Sequence, residues 1–332
     1  MRCDTVIGKR VCVVGGAGFL GSHLVNHLLS LRCRVTVVDN LCVGKREFIN
    51  EEAEFFHHDI TGSEEYLRTL FISKEIEYVF NYAAWPYIPD SFARPMQVFS
   101  VNAMGAIKVI NAAAEAGCRA ILQVSSAELY GGPDVIMTTN GERSGGVPKL
   151  TEESEVYPHS TYGAAKAAVD YYCQSAWKER KTPVIALRQF NCVGERETHP
   201  YVVPEIIGQL SKSETILLGN DTWRDFLYAG DAVRMATELI EKGEFGQVYN
   251  LGSTSSVRIY DLAALVGDVM GKRCIIQKDL ARMRPWEIWS LCSDNTKIYG
   301  VIESRPAVTL KQALHRTVED YMLSGKKWCW EN

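Results

Sequence analysis

The sequence predicts an α/β protein in which a doubly wound parallel sheet is followed by a smaller mixed α/β lobe. Three observations carry this. Short β-rich apolar runs alternate with helical patterns over roughly the first 190 residues. A glycine-rich turn, Gly15 to Gly21, joins the first run to the first helical pattern. After Asn191 the rhythm breaks into long loops, isolated strands and prolines at 200, 204, 285 and 306. Repeated β-α-β units with apolar strands require a sheet covered on both faces and wound right-handedly. Ligands then sit beyond the carboxyl ends of the strands.

Strands are expected at Arg10–Val14, Arg34–Val38, Glu54–His57, Tyr78–Asn81, Ala120–Val124 and Val184–Arg188. Between them, Leu24, Val25, Leu28 and Leu29 mark the first helix, and Glu64–Ser73, Val101–Ala116 and Tyr162–Lys181 the next three. Isolated runs at Thr215–Leu218, Val248–Leu251 and Arg273–Ile276 suggest the second lobe. Residues 1–190, with returns near 226–252, are assigned to a nucleotide-binding unit, and 191–225 with 253–332 to a substrate lobe. The stretch 131–147 has turn composition and predicts a flexible loop near the site. Asp39, Asp59, Asn81, Ser125, Ser126 and Asn191 all fall at or just past strand ends, so a single site is expected there.

A net charge of −4 without a basic tract gives no reason to expect nucleic acid or an anionic membrane surface. The ten cysteines contain no C-x-x-C and read as reduced, buried small hydrophobes. No signal peptide and no apolar run of spanning length is evident, so a cytoplasmic protein is expected. His57-His58-Asp59 lacks further ligands, and no metal is expected.

Glycines at 15, 18 and 21 open a tight strand-to-helix turn and bring the backbone close to a pyrophosphate. The helix that follows presents free N–H groups and the positive end of its dipole. The second strand ends in Asp39, eighteen residues past Gly21. A carboxylate there accepts both ribose hydroxyls of NAD and repels the 2′-phosphate of NADP. Lys45 and Arg46 lie nearby in sequence, yet neither is an obvious phosphate clamp. NAD is the expected cofactor.

Tyr162 and Lys166 stand four apart at the start of a helical pattern, which places phenol and ammonium on one face. An ammonium beside a phenol favours the phenolate, making it a proton acceptor below its ordinary value of about 10. Ser126, after an apolar strand, is placed to bond the same substrate hydroxyl.

With these residues together, the sequence resembles the extended short-chain dehydrogenase/reductase family, in particular its NAD-dependent nucleotide-sugar epimerases and dehydratases of the UDP-glucose 4-epimerase type. The matches run nearly end to end. They include the glycine motif, Asp39-Asn40-Leu41, Asp59-Ile60, Ala83-Ala84, Val101-Asn102, Ser125-Ser126 with Tyr130-Gly131, and Tyr162-x-x-x-Lys166. Later matches are Arg188-x-Phe190-Asn191, Arg224-Asp225-Phe226, Asn250-Leu251-Gly252 and Arg284-Pro285. The resemblance implies a Rossmann-like sheet. It implies NAD contacts from Gly15, Gly18, Phe19, Leu20, Gly21, Asp39, Asn40, Asp59, Ile60, Ala83, Asn102, Tyr162 and Lys166. Trp85, Ser126, Asn191, Val203, Arg224 and Arg284 are implied to contact a nucleotide-sugar, most simply a UDP-sugar. Relatives commonly dimerise through two helices, and the apolar faces of 101–116 and 162–178 permit a homodimeric four-helix bundle.

The implied chemistry begins with oxidation at the sugar C4, where Tyr162 takes the hydroxyl proton and Ser126 supports the developing ketone. That ketone can lead to 4-epimerisation, to 4,6-dehydration or to decarboxylation of a uronic acid. Ala127 matches the epimerases, whereas Glu128 matches dehydratases and decarboxylases and would be the base at C5. The missing acid at 127 tips the expectation to 4-epimerase. A non-catalytic dinucleotide-binding sensor and a reductase with exchangeable NADPH are the competing readings; the intact Ser126, Tyr162 and Lys166 set opposes the sensor.

Overall fold

The computed structural model describes residues 5–131, 147–283 and 286–331. The predicted loop, apart from Gly131 and Val147, lies outside those residues, as do Arg284 and Pro285. In chain order the strands are β1 (Arg10–Val14), β2 (Arg34–Asp39), β3 (Glu54–His57), β4 (Tyr78–Asn81), β5 (Ala120–Ser126), β6 (Val184–Gln189), β7 (Asn191–Val193), β8 (Thr215–Leu218), β9 (Trp223–Tyr228), β10 (Val248–Leu251), β11 (Ser256–Arg258) and β12 (Ile275–Lys278). The first six helices are α1 (Phe19–Ser30), α2 (Glu64–Ser73), α3 (Ile88–Ala93), α4 (Pro95–Phe99), α5 (Ala106–Glu115) and α6 (Thr161–Arg180). Five follow: α7 (Val202–Lys212), α8 (Ala229–Lys242), α9 (Ile259–Met270), α10 (Thr296–Tyr299) and α11 (Leu310–Leu323).

Seven strands form one sheet in the order β10-β6-β5-β4-β1-β2-β3, every neighbouring pair parallel. The order reverses between β1 and β4, which opens a crevice at the carboxyl ends of these two strands. The fold is Rossmann-like. One face is sealed by a cluster that includes Val11, Val13, Leu24, Leu28, Ala236 and Leu239, the other by Val14, Leu67, Val109, Ile110 and Val169. Continuous burial of β5 and β6 on both faces explains why their sequences are apolar rather than alternating.

The second lobe holds a three-stranded sheet, β11-β9-β7, and the parallel pair β12-β8. Helices α7, α9 and α11 share its core, with Ile206, Leu210, Leu262 and Leu314 buried. Two local expectations are corrected. The run expected at 273–276 starts at Ile275, while Val248–Leu251 joins β6 in the large sheet, among the returns expected near 226–252. The helix expected from Val101 instead begins as a wide π turn over Ser100–Gly105, and α5 follows at Ala106. Such turns are uncommon and often accompany functional sites.

Candidate active site

A cavity of about 600 Å³ runs from the glycine turn, across the ends of β4 and β5, to the second lobe. Its geometry starts at Gly15, whose φ of +82° suits glycine. A Cβ there would lie 2.5 Å from Ala83 N, and one on Gly21 would lie 2.0 Å from Gly15 O. These glycines let the turn, the β4 loop and α1 meet. Gly18 differs: its nearest obstacle would be Gly15 O at 3.4 Å, and it caps α1 without a side-chain acceptor. The first-turn N–H groups of Phe19 and Leu20 thus remain available to an anion. Both residues line the cavity.

At the end of β2, buried Asp39 accepts Ala17 N–H at 3.0 Å and Leu41 N–H at 2.8 Å. Burial pushes its carboxyl up, and those two bonds pull the other way. Asn40 donates to Asp59 at 2.8 Å, and the other Asp59 oxygen takes Thr61 N–H and Oγ1, each at 2.7 Å. Ile60 is packed beneath, against Gly105. Ala83 N–H is fixed by Asn81 at 3.2 Å. The Arg46 guanidinium lies 5.0 Å above the Phe55 ring, and neither it nor Lys45 borders the cavity. His57 instead bonds the Asn40 carbonyl, and His58 stacks on Tyr66 at 4.3 Å. The open glycine turn and the Asp39 carboxylate fit NAD.

The reacting end is built from β5 and α6. Ser126 is the last residue of β5, and its Oγ accepts Glu128 N–H at 3.2 Å, starting the short turn Ala127–Tyr130. Ser160 caps α6 by accepting Gly163 N–H at 3.1 Å, which fixes the first turn carrying Tyr162. Lys166 Nζ sits 5.8 Å from the Tyr162 ring centre and donates to Val124 O at 3.0 Å. The expected easy ionisation of the phenol does not hold in the chain itself. Burial pushes Tyr162 up to about 12, against which Ser126's hydrogen bond works, while the charge of Glu128 adds to the rise. Burial also draws Lys166 down to about 8, opposed by Asp170. Spacing along the helix reveals the ammonium beside the phenol but not the desolvation that acts on both groups.

Around this centre lie Trp85, Asn191, Val203 and Arg224, all lining the cavity. Arg224 is buried, donates to Trp223 O at 3.0 Å and pairs with Glu287 at 3.4 Å. Arg284 falls outside the described residues. Asn102 does not border the cavity: its amide accepts Trp85 N–H at 2.7 Å and donates to Trp85 O at 2.9 Å. It shapes the β4 loop from within the π turn. The expectation that all cysteines are buried also needs correction, since Cys42 is exposed at the cavity beside Asp39 and Asn40.

Tyr87, Tyr201 and Glu197 also line the cavity. Tyr87 stacks on His199 at 5.6 Å, and Tyr201 stands edge-on to Tyr87 at 6.2 Å. Glu197 is buried, with its carboxyl held well above the ordinary range by that burial. Tyr87 follows Trp85 and Pro86 after β4, where a sugar is expected to approach; no local signal marks Glu197 and Tyr201, and only Pro200 and Pro204 hint at an ordered loop.

The model of the NAD dependent epimerase/dehydratase family matches residues 11–252. The chain belongs to that family. It is 28% identical to human dTDP-D-glucose 4,6-dehydratase over 96% of this chain and 92% of that enzyme. It superposes on UDP-glucose 4-epimerase of Thermotoga maritima, solved with UDP-glucose, with a TM-score of 0.84 and 27% identity over 95% of this chain and 99% of that one. For a dTDP-glucose 4,6-dehydratase of Streptomyces venezuelae, solved with NAD bound, the TM-score is 0.85 and the identity 25%, over 97% and 100% of the two chains. The cofactor of this chain is NAD, and its relatives include both isomerases and lyases acting on nucleotide-sugars. No helix among the described residues is long and apolar enough to cross a membrane.

Proposed function

We propose that this chain is a nucleotide-sugar 4,6-dehydratase, the reading in which Glu128 takes part. One observation carries it: Glu128 is 8% exposed, borders the cavity, and is close enough to Tyr162 to raise its phenol. NAD, when bound, supplies the oxidation at C4 and the reduction that closes the cycle. Tyr162, in its phenolate form, takes the proton of the C4 hydroxyl, and Ser126 donates to the ketone oxygen as it forms. The ketone acidifies C5–H, which Glu128 removes. The proton Glu128 gains is the one the departing C6 hydroxyl needs to leave as water. A second acid at 127 is therefore not required by the proton balance. Arg224 and Asn191 hold the diphosphate, the guanidinium exchanging its Glu287 partner for phosphate oxygens.

Ala127 favours the second reading, 4-epimerisation, in which Glu128 stays a spectator. Incubation with UDP- and dTDP-hexoses in D₂O separates the two. Dehydration gives a 4-keto-6-deoxy sugar with deuterium at C5; epimerisation gives an isomer without exchange at C5. Recovery of the isomer alone would refute the dehydratase. The exposed Met104 and Tyr171, near α5 and on α6, support a homodimer through these helices, testable by light scattering.

A further inference from the structure

The turn between β7 and α7 carries two glutamates with opposite fates. Glu195 is satisfied: its carboxylate accepts Tyr228 Oη at 3.1 Å. Glu197 is 2% exposed and borders the cavity, yet its Oε2 has no hydrogen-bond partner and its carboxyl no paired cation among the described residues. Between them Arg196 takes a φ of +65°, uncommon for a residue with a Cβ. Two bonds hold it there: its N–H donates to Asp320 Oδ2 at 3.0 Å and its guanidinium to Ser22 O at 3.3 Å. The same turn lies against the start of α1. A Cβ on Gly194 would come within 3.6 Å of the Phe19 ring, and His23 Nε2 donates to Glu195 O at 2.9 Å. Gly18, Phe19 and Leu20, at the anion-binding end of α1, line the cavity together with Glu197.

We propose that Glu197 contacts the NAD diphosphate as a neutral carboxylic acid, donating its O–H to a phosphate oxygen beside the α1 N-terminus. A buried carboxylate without a cation is far costlier than the acid, so the group keeps its proton. Burial holds it well above the ordinary carboxylate range, and the charge of Asp320 adds to the rise. The surrounding groups do not offset this. Arg196 and His23 are engaged with Ser22 O and Glu195 O, and Asp320 of α11 is itself an acid. Cys192 on β7, Tyr201 before α7 and Cys329, whose thiol donates to Glu197 O, bring no positive charge. An ionised carboxylate would repel the diphosphate, whereas the acid gives it a charge-assisted hydrogen bond. Such a contact gives the unmet oxygen in the cavity wall its physical reason. Dehydratase and epimerase would hold the cofactor alike, so the contact is independent of the reaction proposed above.

The test is NAD titration of the full chain, freed of NAD, in two variants. Glu197→Gln keeps a neutral donor and should bind NAD within about threefold of the wild type. Glu197→Met fills the same space without a donor. It removes an unmet buried polar group, so without NAD it should melt no lower than the wild type, yet its Kd for NAD should rise about tenfold or more. Should Glu197→Met fail to fold, Glu197→Ala replaces it with the same expected loss. An unchanged NAD affinity in the folded apolar variant overturns the proposal, as does a loss in Glu197→Gln as large as in Glu197→Met. UDP titrated into the NAD-loaded variants should bind as in the wild type. A loss confined to UDP would move Glu197 to the sugar nucleotide and overturn the cofactor contact.

Discussion

Lys166 Nζ gives its hydrogen bond to Val124 O at 3.0 Å while lying 5.8 Å from the Tyr162 ring centre. The ammonium thus stands over the ring, held by backbone, and the phenol oxygen is left to Ser126. Removing that oxygen should remove the proton acceptor and little else. Tyr162→Phe is expected to lower kcat by about 10²–10⁴-fold with the melting temperature nearly unchanged, measured by product formation and calorimetry.

Lys166 itself should cost stability in the range where it is charged. Its folded pKa is drawn down from 10.5 to about 8, so between these values the unfolded chain binds more protons than the folded one. Stability then rises with pH across that window, and the penalty is fully present below it. Lys166→Met is expected to be inactive yet to melt higher than the wild type at pH 7. The gap should narrow as pH rises from about 8. Melting curves at pH 6, 7 and 9.5 check it; a constant gap contradicts the assignment.

Gly18 and Gly21 should separate cofactor binding from folding. A Cβ at Gly21 would collide with Gly15 O, so Gly21→Ala is expected to destabilise by about 1–3 kcal/mol. At Gly18 the nearest atom is 3.4 Å away, so Gly18→Ala should fold normally and instead weaken NAD retention. Denaturation and NAD titration of the two variants read the difference.

Asn102 should matter through Trp85 alone. Asn102→Leu leaves Trp85 N–H and C=O without their side-chain partner, costing about 1–3 kcal/mol. The loosened loop is expected to raise KM for the sugar nucleotide while NAD affinity holds. Equal losses in both affinities would place Asn102 at the cofactor instead.

Glu128→Gln keeps the size of the side chain and removes the base that the proposed dehydration requires. Oxidation at C4 should survive as a slow reduction of bound NAD, while loss of water falls by at least about 10²-fold. Rapid-mixing absorbance of the reduced cofactor against product yield distinguishes the steps.

Much of the architecture was legible because the relevant signals are local. Apolar runs of four or five residues gave β1 to β6 to within two residues at each end, and the Tyr162-to-Lys166 spacing gave the helix face. The exceptions are long-range. Val248–Leu251 looks like any short strand, and only its pairing with β6 places it in the large sheet. Asn102 lies in a helical run, and its side chain is taken up by Trp85, seventeen residues earlier. Arg224 draws its counter-charge from Glu287, across 63 residues.

The sequence by itself pointed to the glycine turn, to Asp39 at the end of β2 and to Ser126, Tyr162 and Lys166, all of which line the cavity. These follow from spacing along single elements, where backbone geometry fixes what meets what. Tertiary structure decided their protonation and their company. Burial raises Tyr162 and lowers Lys166, and the packing of β6 against α6 brings Arg188 to Asp170. Desolvation and charge pairing depend on everything surrounding a group in space, and no local pattern of residues encodes that.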